Sequence, residues 1–507
     1  MKCALIFPAW TPVEIFPAAT ASSQSNYWQP LGLLYVGAAL IEAGHEVSFF
    51  DGAFMTHEQI IDRVREWEPG FVGIYSTTFG WPQAKRTARD IKSADQQIFI
   101  CAGGPYPIAL GGRCLSDAAG DIDAVITGEG EQTVPKLLAR LETSGNLTGV
   151  RGVAFLDGGR VIANPPRPLI EDLDALPFPA RHLLGDCARY IPAPGTYRRK
   201  PVAIVLTSRG CTRRCIFCFQ LDKERKSGRW GVRYRSIGNV MAEIEQLLAE
   251  GYREIKFIDD TFAADNDRAL ELAEEIKARR LDFPWFASLC VNQANARLLR
   301  TMKDAGCWSV LMAAESGVQK NLNTLRKGST LDQIREAVKM AKDAGLRVSV
   351  PFMFGIPGET VADGLKTIDF AIELNPDLAN FHALTPFPGT HLHDHRNDYG
   401  AVSGDLSDFT YQGAAFVPAT MTRDDIRMLR QKAFRRFYSR PSFIFRRLLQ
   451  IRTWKDFLAA ASGVKSLFGL WKGRDLFRRP DAGGGPGRPH PLKAAGIPGP
   501  GQDIAGG

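Results

Sequence analysis

Three of the nine cysteines fall within eight positions, in the stretch SRGCTRRCIFCF at 208–219. Thiols packed this closely serve a metal or redox centre. A structural zinc site takes four ligands in a closed tetrahedron, and no histidine stands at a zinc-finger distance from Cys211, Cys215 or Cys218. Thioredoxin-type chemistry needs only CxxC and leaves Cys211 without a use. A cubane 4Fe-4S cluster held by three thiolates leaves one iron open to an exogenous ligand, which is a reason to have three cysteines and not four. The other six, Cys3, Cys101, Cys114, Cys187, Cys290 and Cys307, are scattered singly and read as core residues, not as a disulfide framework.

Such a cluster has to be positioned, and the flanking sequence says by what. VAIVLTS at 202 is an apolar strand leading directly into the cysteines, and further strands are expected at 254–258, 285–291, 309–314, 347–354 and 379–385. Helical patterns separate them, so residues 201–400 read as a (β/α)6 partial TIM barrel with its chemistry at the C-terminal rim of the strands. KFIDDTF at 256–262 puts Asp259 and Asp260 at such a rim, pointing to opposite faces, with helix capping the expected role of the one turned outward.

Residues 1–145 alternate short apolar runs with helical patterns, the mark of an α/β, doubly wound, Rossmann-like domain that binds ligands at its strand ends. Small and polar residues gather at those ends: Ser76 and Thr77, Gly103 and Gly104, and Gly128, Glu129 and Gly130. Residues 146–200 are proline-dense and read as a linker or strap. Residues 401–479 read as a basic, mainly helical C-terminal region. Residues 480–507 hold fifteen Gly or Pro and are expected to be disordered.

The motif CTRRCIFC resembles the signature of the radical S-adenosylmethionine (SAM) superfamily. The resemblance implies a 4Fe-4S cluster on Cys211, Cys215 and Cys218, SAM chelated to the open iron, and Phe217 near the adenine. The rim segments AAESG, FGIPGE and LTPFPGT fit the same family, which implies SAM contacts from Asp260, Glu315, Ser316, Gly355 and Pro357. With the N-terminal domain and strap, residues 1–400 resemble the cobalamin-dependent subfamily. Ser76, Thr77, Gly103, Gly104, Gly128, Glu129 and Gly130 then become cobalamin contacts. None of the eight histidines has Asp two residues before it, so cobalamin binding through an Asp-x-His-x-x-Gly histidine is ruled out.

The activity this implies is methylation of an unactivated carbon of a small biosynthetic intermediate, a hydrophobic one being among the candidates, through a 5′-deoxyadenosyl radical and methylcobalamin. Three other outcomes stay open: an oxidative cyclase of the anaerobic Mg-protoporphyrin monomethyl ester type, a methylthiotransferase, and a non-catalytic cobalamin or SAM sensor. A methylthiotransferase needs a second cluster, for which the N-terminal domain offers only Cys3, Cys101 and Cys114.

The net charge of +8 is concentrated in residues 423–479, which hold sixteen Lys and Arg against four Asp. Interleaved with Phe, Leu and Trp, this region reads either as a helical appendage on the barrel or as a face resting on anionic lipid. The second reading suits a lipid-like or tetrapyrrole substrate. No nucleic-acid-binding module accompanies the charge, so no nucleic-acid partner is expected. A reductant such as flavodoxin or ferredoxin is implied by the cluster. With no apolar run of about 18 residues, the expected location is cytoplasmic, or peripheral at the inner membrane surface.

Overall fold

The computed structural model describes residues 1–11, 27–193, 195–221, 231–410 and 413–449. The expected disorder of 480–507 and most of the basic C-terminal region lie outside these residues.

The N-terminal sheet comprises β1 (Lys2–Phe7), β2 (Glu46–Asp51), β3 (Phe71–Tyr75), β4 (Phe99–Gly103), β5 (Ala124–Ile126), β6 (Val153–Asp157) and β7 (Arg160–Ala163). Its order is β2-β1-β3-β4-β5-β6-β7. The strands β1 to β5 are parallel, and β6 and β7 add antiparallel at one edge. The segment 146–200 is therefore not all strap. Gly158 and Gly159, with φ of 53° and 81°, turn its first part into a hairpin that completes the sheet.

The helix Leu31–Glu42 carries no charge before its last residue because it is covered on several sides. Leu33 and Leu40 pack on the sheet, Leu31 and Tyr35 meet Ile204 of the second domain, and Leu34 meets Leu184 and Tyr190 of the strap. The strap is fixed by polar contacts as well. Tyr190 Oη donates to Asp51 Oδ2 at 2.6 Å, and Arg181 pairs with the buried Glu243 at 2.7 Å while donating to the Ile204 carbonyl.

The second sheet holds β8 (Val202–Val205), β11 (Glu254–Phe257), β12 (Trp285–Leu289), β13 (Cys307–Met312), β14 (Arg347–Phe354) and β15 (Leu378–Ala383). These six parallel strands run in the order β15-β14-β13-β12-β11-β8, an open partial barrel. Two small ribbons, β9 (Ser208–Arg209) with β10 (Arg233–Tyr234) and β16 (Gly400–Val402) with β17 (Phe416–Pro418), decorate it. The barrel strands bury alternate residues against the outer helices: Ala287 and Leu289, Val310 and Met312, Val348 and Val350, Ala379 and Phe381. The intervening residues face the lumen.

Of the basic C-terminal region, the helix Arg423–Tyr438 buries Ile426, Leu429, Ala433 and Phe437 in the barrel's outer core. This part is a helical appendage.

Candidate active site between the two domains

The cluster loop starts where β9 ends. Gly210 has φ of 101°, and a side chain there would meet the Gly231 carbonyl at 2.7 Å, so the loop turns only because this residue is glycine. Ile216 anchors its far side: its N–H donates to the Leu325 carbonyl at 3.1 Å, and its carbonyl accepts from Leu392 N–H at 2.8 Å. Phe217 packs beside Ile216 on Leu325, Met353, Ile356 and Leu392. The loop is thereby tied to the segments that follow β13 and β15.

Cys211, Cys215 and Cys218 lie together on this loop. Cys218 lies beside Cys215, and Cys211 lies beside Cys290, which follows β12. No three His, Cys, Asp or Glu side chains among the described residues converge as the ligands of one metal ion would. A cubane, by contrast, holds its thiolates well apart. The donor set of three neighbouring thiols on a preformed loop fits the cluster. A cation stands beside it: Lys327 Nζ lies 2.7 Å from Glu315 Oε1. Burial alone would depress the Lys327 ammonium, but Glu315 and the Cys215 thiol hold it well above its usual range.

Next to the cluster loop, a cavity of about 410 Å³ lies between the domains. One wall is the N-terminal domain: Leu5, Leu33, Val36, Ile74 and Ile126, with Gly103, Gly104, Gly128 and Gly130. The other wall is Ser208, Arg209, Cys211, Phe219, Arg233 and Asp260. A Cβ on Gly128 would meet nothing within 4 Å, and on Gly103 only Ile126 at 4.0 Å. Both therefore keep open a space that side chains would fill. Gly104 serves the turn itself, since its φ is 101° and a Cβ would strike the Ser76 carbonyl at 2.6 Å. This apolar, glycine-floored cradle fits a large flat macrocycle, and no histidine lines it.

Other residues expected at the site have different surroundings. Glu129 lines the cavity, but its carboxylate accepts from Arg209 Nη1 at 2.7 Å, from Arg233 Nη1 at 2.9 Å and from Ile170 N–H at 2.7 Å. Its partners are thus the barrel and the strap. Ser76 donates to the Thr77 carbonyl, and Thr77 Oγ1 accepts from Gly80 N–H at the start of a helix. Ser316 is fully buried and bonded to Thr367, Val318 and Asn321, so its hydroxyl is spent inside its own loop. Gly355 N–H donates to Glu359 at 2.7 Å, and Gly355 and Pro357 form the turn that this carboxylate braces.

Asp260 faces the cavity. Burial pushes its carboxyl up, against the Gly210 N–H that it accepts. Asp259 points away and caps no helix: Oδ1 takes Thr207 N–H, Thr207 Oγ1 and Ser208 Oγ, bracing the strand end before the cysteines, while Asp265 caps the following helix.

Sequence comparison agrees with this architecture. Residues 205–371 match the Radical SAM superfamily and residues 19–138 match the B12 binding domain. An uncharacterized methyltransferase of Pyrococcus horikoshii is 33% identical over 460 residues, covering 89% of this chain and 95% of the relative. An anaerobic magnesium-protoporphyrin IX monomethyl ester cyclase of Rubrivivax gelatinosus is 28% identical, covering 82% of this chain and 75% of the relative. The fold is similar to the radical SAM methyltransferase TsrM of Kitasatospora setae, solved with cobalamin and a [4Fe-4S] cluster bound. The TM-score is 0.62 at 18% identity, covering 92% of this chain and 88% of that one. The chain belongs to the cobalamin-dependent radical SAM enzymes. Its cofactors are a 4Fe-4S cluster, SAM and cobalamin.

Four residues of the site, Arg209, Arg233, Lys327 and Cys290, escape a sequence reading. Arg209 directly precedes the glycine of the cluster loop, yet nothing in the sequence pairs it with a glutamate 80 positions earlier.

Proposed function

We propose that the protein transfers a methyl group to an unactivated carbon of a small molecule. One observation carries the reading: a single cavity is walled by the strand ends of the B12-binding domain and by Cys211 and Asp260 of the barrel. Bound there, the cluster and SAM supply a carbon radical, and cobalamin supplies a transferable methyl group.

The chain's own part is to bind, orient and exclude water. Cys211, Cys215 and Cys218 hold the cluster, with Phe217 anchoring their loop. Asp260 offers a carboxylate on the cavity side of Cys211, and the Glu315–Lys327 pair offers an acceptor and a donor beside Cys215. Gly103 and Gly128 let the corrin approach the backbone. No histidine is available in the cavity to ligate cobalt.

The test is acceptor mass after turnover with SAM carrying a deuterated methyl group. Gain of the labelled methyl supports methyl transfer. An oxygenated, ring-closed product without label would support the cyclase reading, which the relative from Rubrivivax gelatinosus keeps in view.

The basic C-terminal region has a described end that supports contact with an anionic membrane surface. Phe445 is 63% and Ile444 42% exposed, on the same appendage as the exposed Lys432, Arg435 and Arg436. No helix among the described residues is long and apolar enough to cross a membrane. Flotation with anionic liposomes at low salt tests the contact, and failure to float would refute it.

A further inference from the structure

The charges around the cluster loop are of one sign. The loop, 208–221, and the two segments to which Ile216 ties it, 316–331 and 384–393, together hold six Lys and Arg and no Asp or Glu. Three of the six are matched by carboxylates from elsewhere in the fold: Arg209 by Glu129 and Glu131, Lys320 by Asp363, and Lys327 by Glu315. Arg214 donates to the neutral side chain of Gln220. The side chains of Arg213 and Arg326 have no hydrogen-bond or ion-pair partner among the described residues. Asp394 and Asp398, which follow the third segment, lie beside His393 and His395 at 3.6 and 3.4 Å.

These two guanidinium groups share one face. Arg213 Nη1 lies 3.0 Å from where a Cβ on Gly328 would stand, and Arg326 comes two positions before that glycine. The turn between them is at the surface, with Asn323, Arg326, Gly328 and Thr330 exposed. It is also close to the cluster cysteines. The carbonyl of Leu325, next to Arg326, accepts from Ile216 N–H at 3.1 Å, and Ile216 directly follows Cys215. One hydrogen bond therefore joins the exposed turn to the residue after a cluster cysteine. Arg213 is half-buried with its Nε shut off from water and unpaired, a costly state that an external acceptor near its free Nη groups would ease. Arginine is also enriched where proteins meet other proteins.

The radical step of the proposed function consumes an electron, which amino-acid side chains do not supply. We infer that this face receives it from a small acidic protein that carries single electrons, of the flavodoxin or ferredoxin class, docked on Arg213 and Arg326. The docked carrier gives up one electron and leaves oxidised by one, the cluster is reduced by one, and no bond or proton is exchanged in the step. Charge complementarity of this kind acts mainly on encounter and orientation, raising association rates roughly 10- to 1,000-fold at low salt. The inference rests on the radical chemistry of the proposed function and not on the fate of the methyl group. It concerns a surface at the cluster loop, separate from the exposed Phe445 end of the C-terminal appendage.

The experiment uses the full chain reconstituted with cluster and cobalamin, excess SAM, and two electron sources in parallel. One is photoreduced deazariboflavin, a small uncharged donor that needs no docking, and the other is a reduced acidic flavodoxin or ferredoxin at sub-saturating concentration. The readout is the initial rate of 5′-deoxyadenosine formation. The double variant Arg213→Gln, Arg326→Gln, checked to hold wild-type iron, should lose about tenfold of the carrier-driven rate and keep the deazariboflavin-driven rate. Arg326→Lys, which keeps the charge, should lose little. Added salt should slow the carrier-driven rate of the wild type more than that of the double variant. Equal carrier-driven rates in wild type and double variant would overturn the inference, as would an equal fall with both donors, which would place the arginines in the cluster site itself. A wild type that accepts electrons from deazariboflavin but from neither carrier would also overturn it. If the wild type forms no 5′-deoxyadenosine from any source, the radical chemistry fails and the inference falls with it. A ring-closed product without methyl would end the methyl-transfer reading and leave the docking face standing.

Discussion

Arg209 Nη1 donates to Glu129 Oε1 at 2.7 Å, joining the strand end that leads into the cluster loop to the strand end that floors the B12-binding domain. The guanidinium also donates to Glu131 Oε1 at 2.6 Å and lies 5.2 Å from the ring of Tyr35. Burial alone would lower the Arg209 guanidinium, but Glu131 and Glu129 raise it. Arg233 adds a second bridge from the barrel to Glu129 and also donates to the Ile170 carbonyl of the strap. The distance between the glycine-floored wall of the cavity and Cys211 is thus set by charges that both domains supply.

Breaking this bridge should cost more than a surface ion pair. Arg209→Ala leaves Glu129 and Glu131 short of a partner in a buried setting, and a loss of about 3–5 kcal/mol in stability is expected. Arg209→Lys keeps the charge but cannot serve two carboxylates through a planar fork. It should fold, and it should bind hydroxocobalamin more weakly than wild type in a visible-absorbance titration. Unchanged affinity in the lysine variant would show that the bridge does not shape the cradle.

The glycines of the cradle predict a separation of binding from folding. Gly128→Leu places a side chain in open space and should lower cobalamin affinity at least tenfold, about 1.4 kcal/mol. Its melting temperature should stay within about 2 °C of wild type in the absence of cobalamin. Gly104→Ala should do the reverse, lowering the melting temperature because of its φ of 101° and the Ser76 carbonyl at 2.6 Å. Differential scanning fluorimetry and absorbance titration of the two variants check both halves.

Four thiols gather at the cluster loop, and the account assigns the cluster to three of them. Cys290→Ala should therefore keep the full iron complement after anaerobic reconstitution, whereas Cys211→Ala, Cys215→Ala and Cys218→Ala should each lose the intact cluster. Loss of iron in Cys290→Ala would make the fourth thiol a ligand and close the open iron.

Glu359, which braces the turn after β14, gives a pH signature. Burial pushes its carboxyl up to about 8, against the N–H groups of Ile356 and Gly355 that favour the charged form. The unfolded chain ionises this group near pH 4.5. Between those values the folded state holds a proton that the unfolded state has released, so stability should fall as pH rises from about 4.5 to about 8 and level off above. The slope from this one group is at most ~1.4 kcal/mol per pH unit. Glu359→Gln should remove that component in denaturant titrations at pH 6 to 8, and an unchanged slope would contradict the assignment.

Much of the architecture is legible in the sequence because local patterns decide it. All six barrel strands lie within a few residues of their expected positions, since each is an apolar run bounded by turn residues and spaced by a helix. The cluster loop is legible because three cysteines and a glycine are adjacent in the chain. What stays hidden depends on partners distant in sequence. Glu129 reads as a ligand contact until Arg209 and Arg233 arrive beside it, and Ser316 reads as a rim donor until Thr367 and Asn321 claim its hydroxyl. The hairpin of β6 and β7 reads as linker because its pairing with β5 is a tertiary event.

The central claim is that one cavity brings the cluster with SAM and the cobalamin together for methyl transfer. The most direct measurement is anaerobic incubation of the reconstituted protein with SAM and dithionite, followed by mass spectrometry for 5′-deoxyadenosine and S-adenosylhomocysteine, with Cys215→Ala alongside. The account predicts both products from the wild-type protein and no 5′-deoxyadenosine from the variant. Formation of 5′-deoxyadenosine alone, with cobalamin bound, would contradict methyl transfer and move the protein to the oxidative cyclase reading.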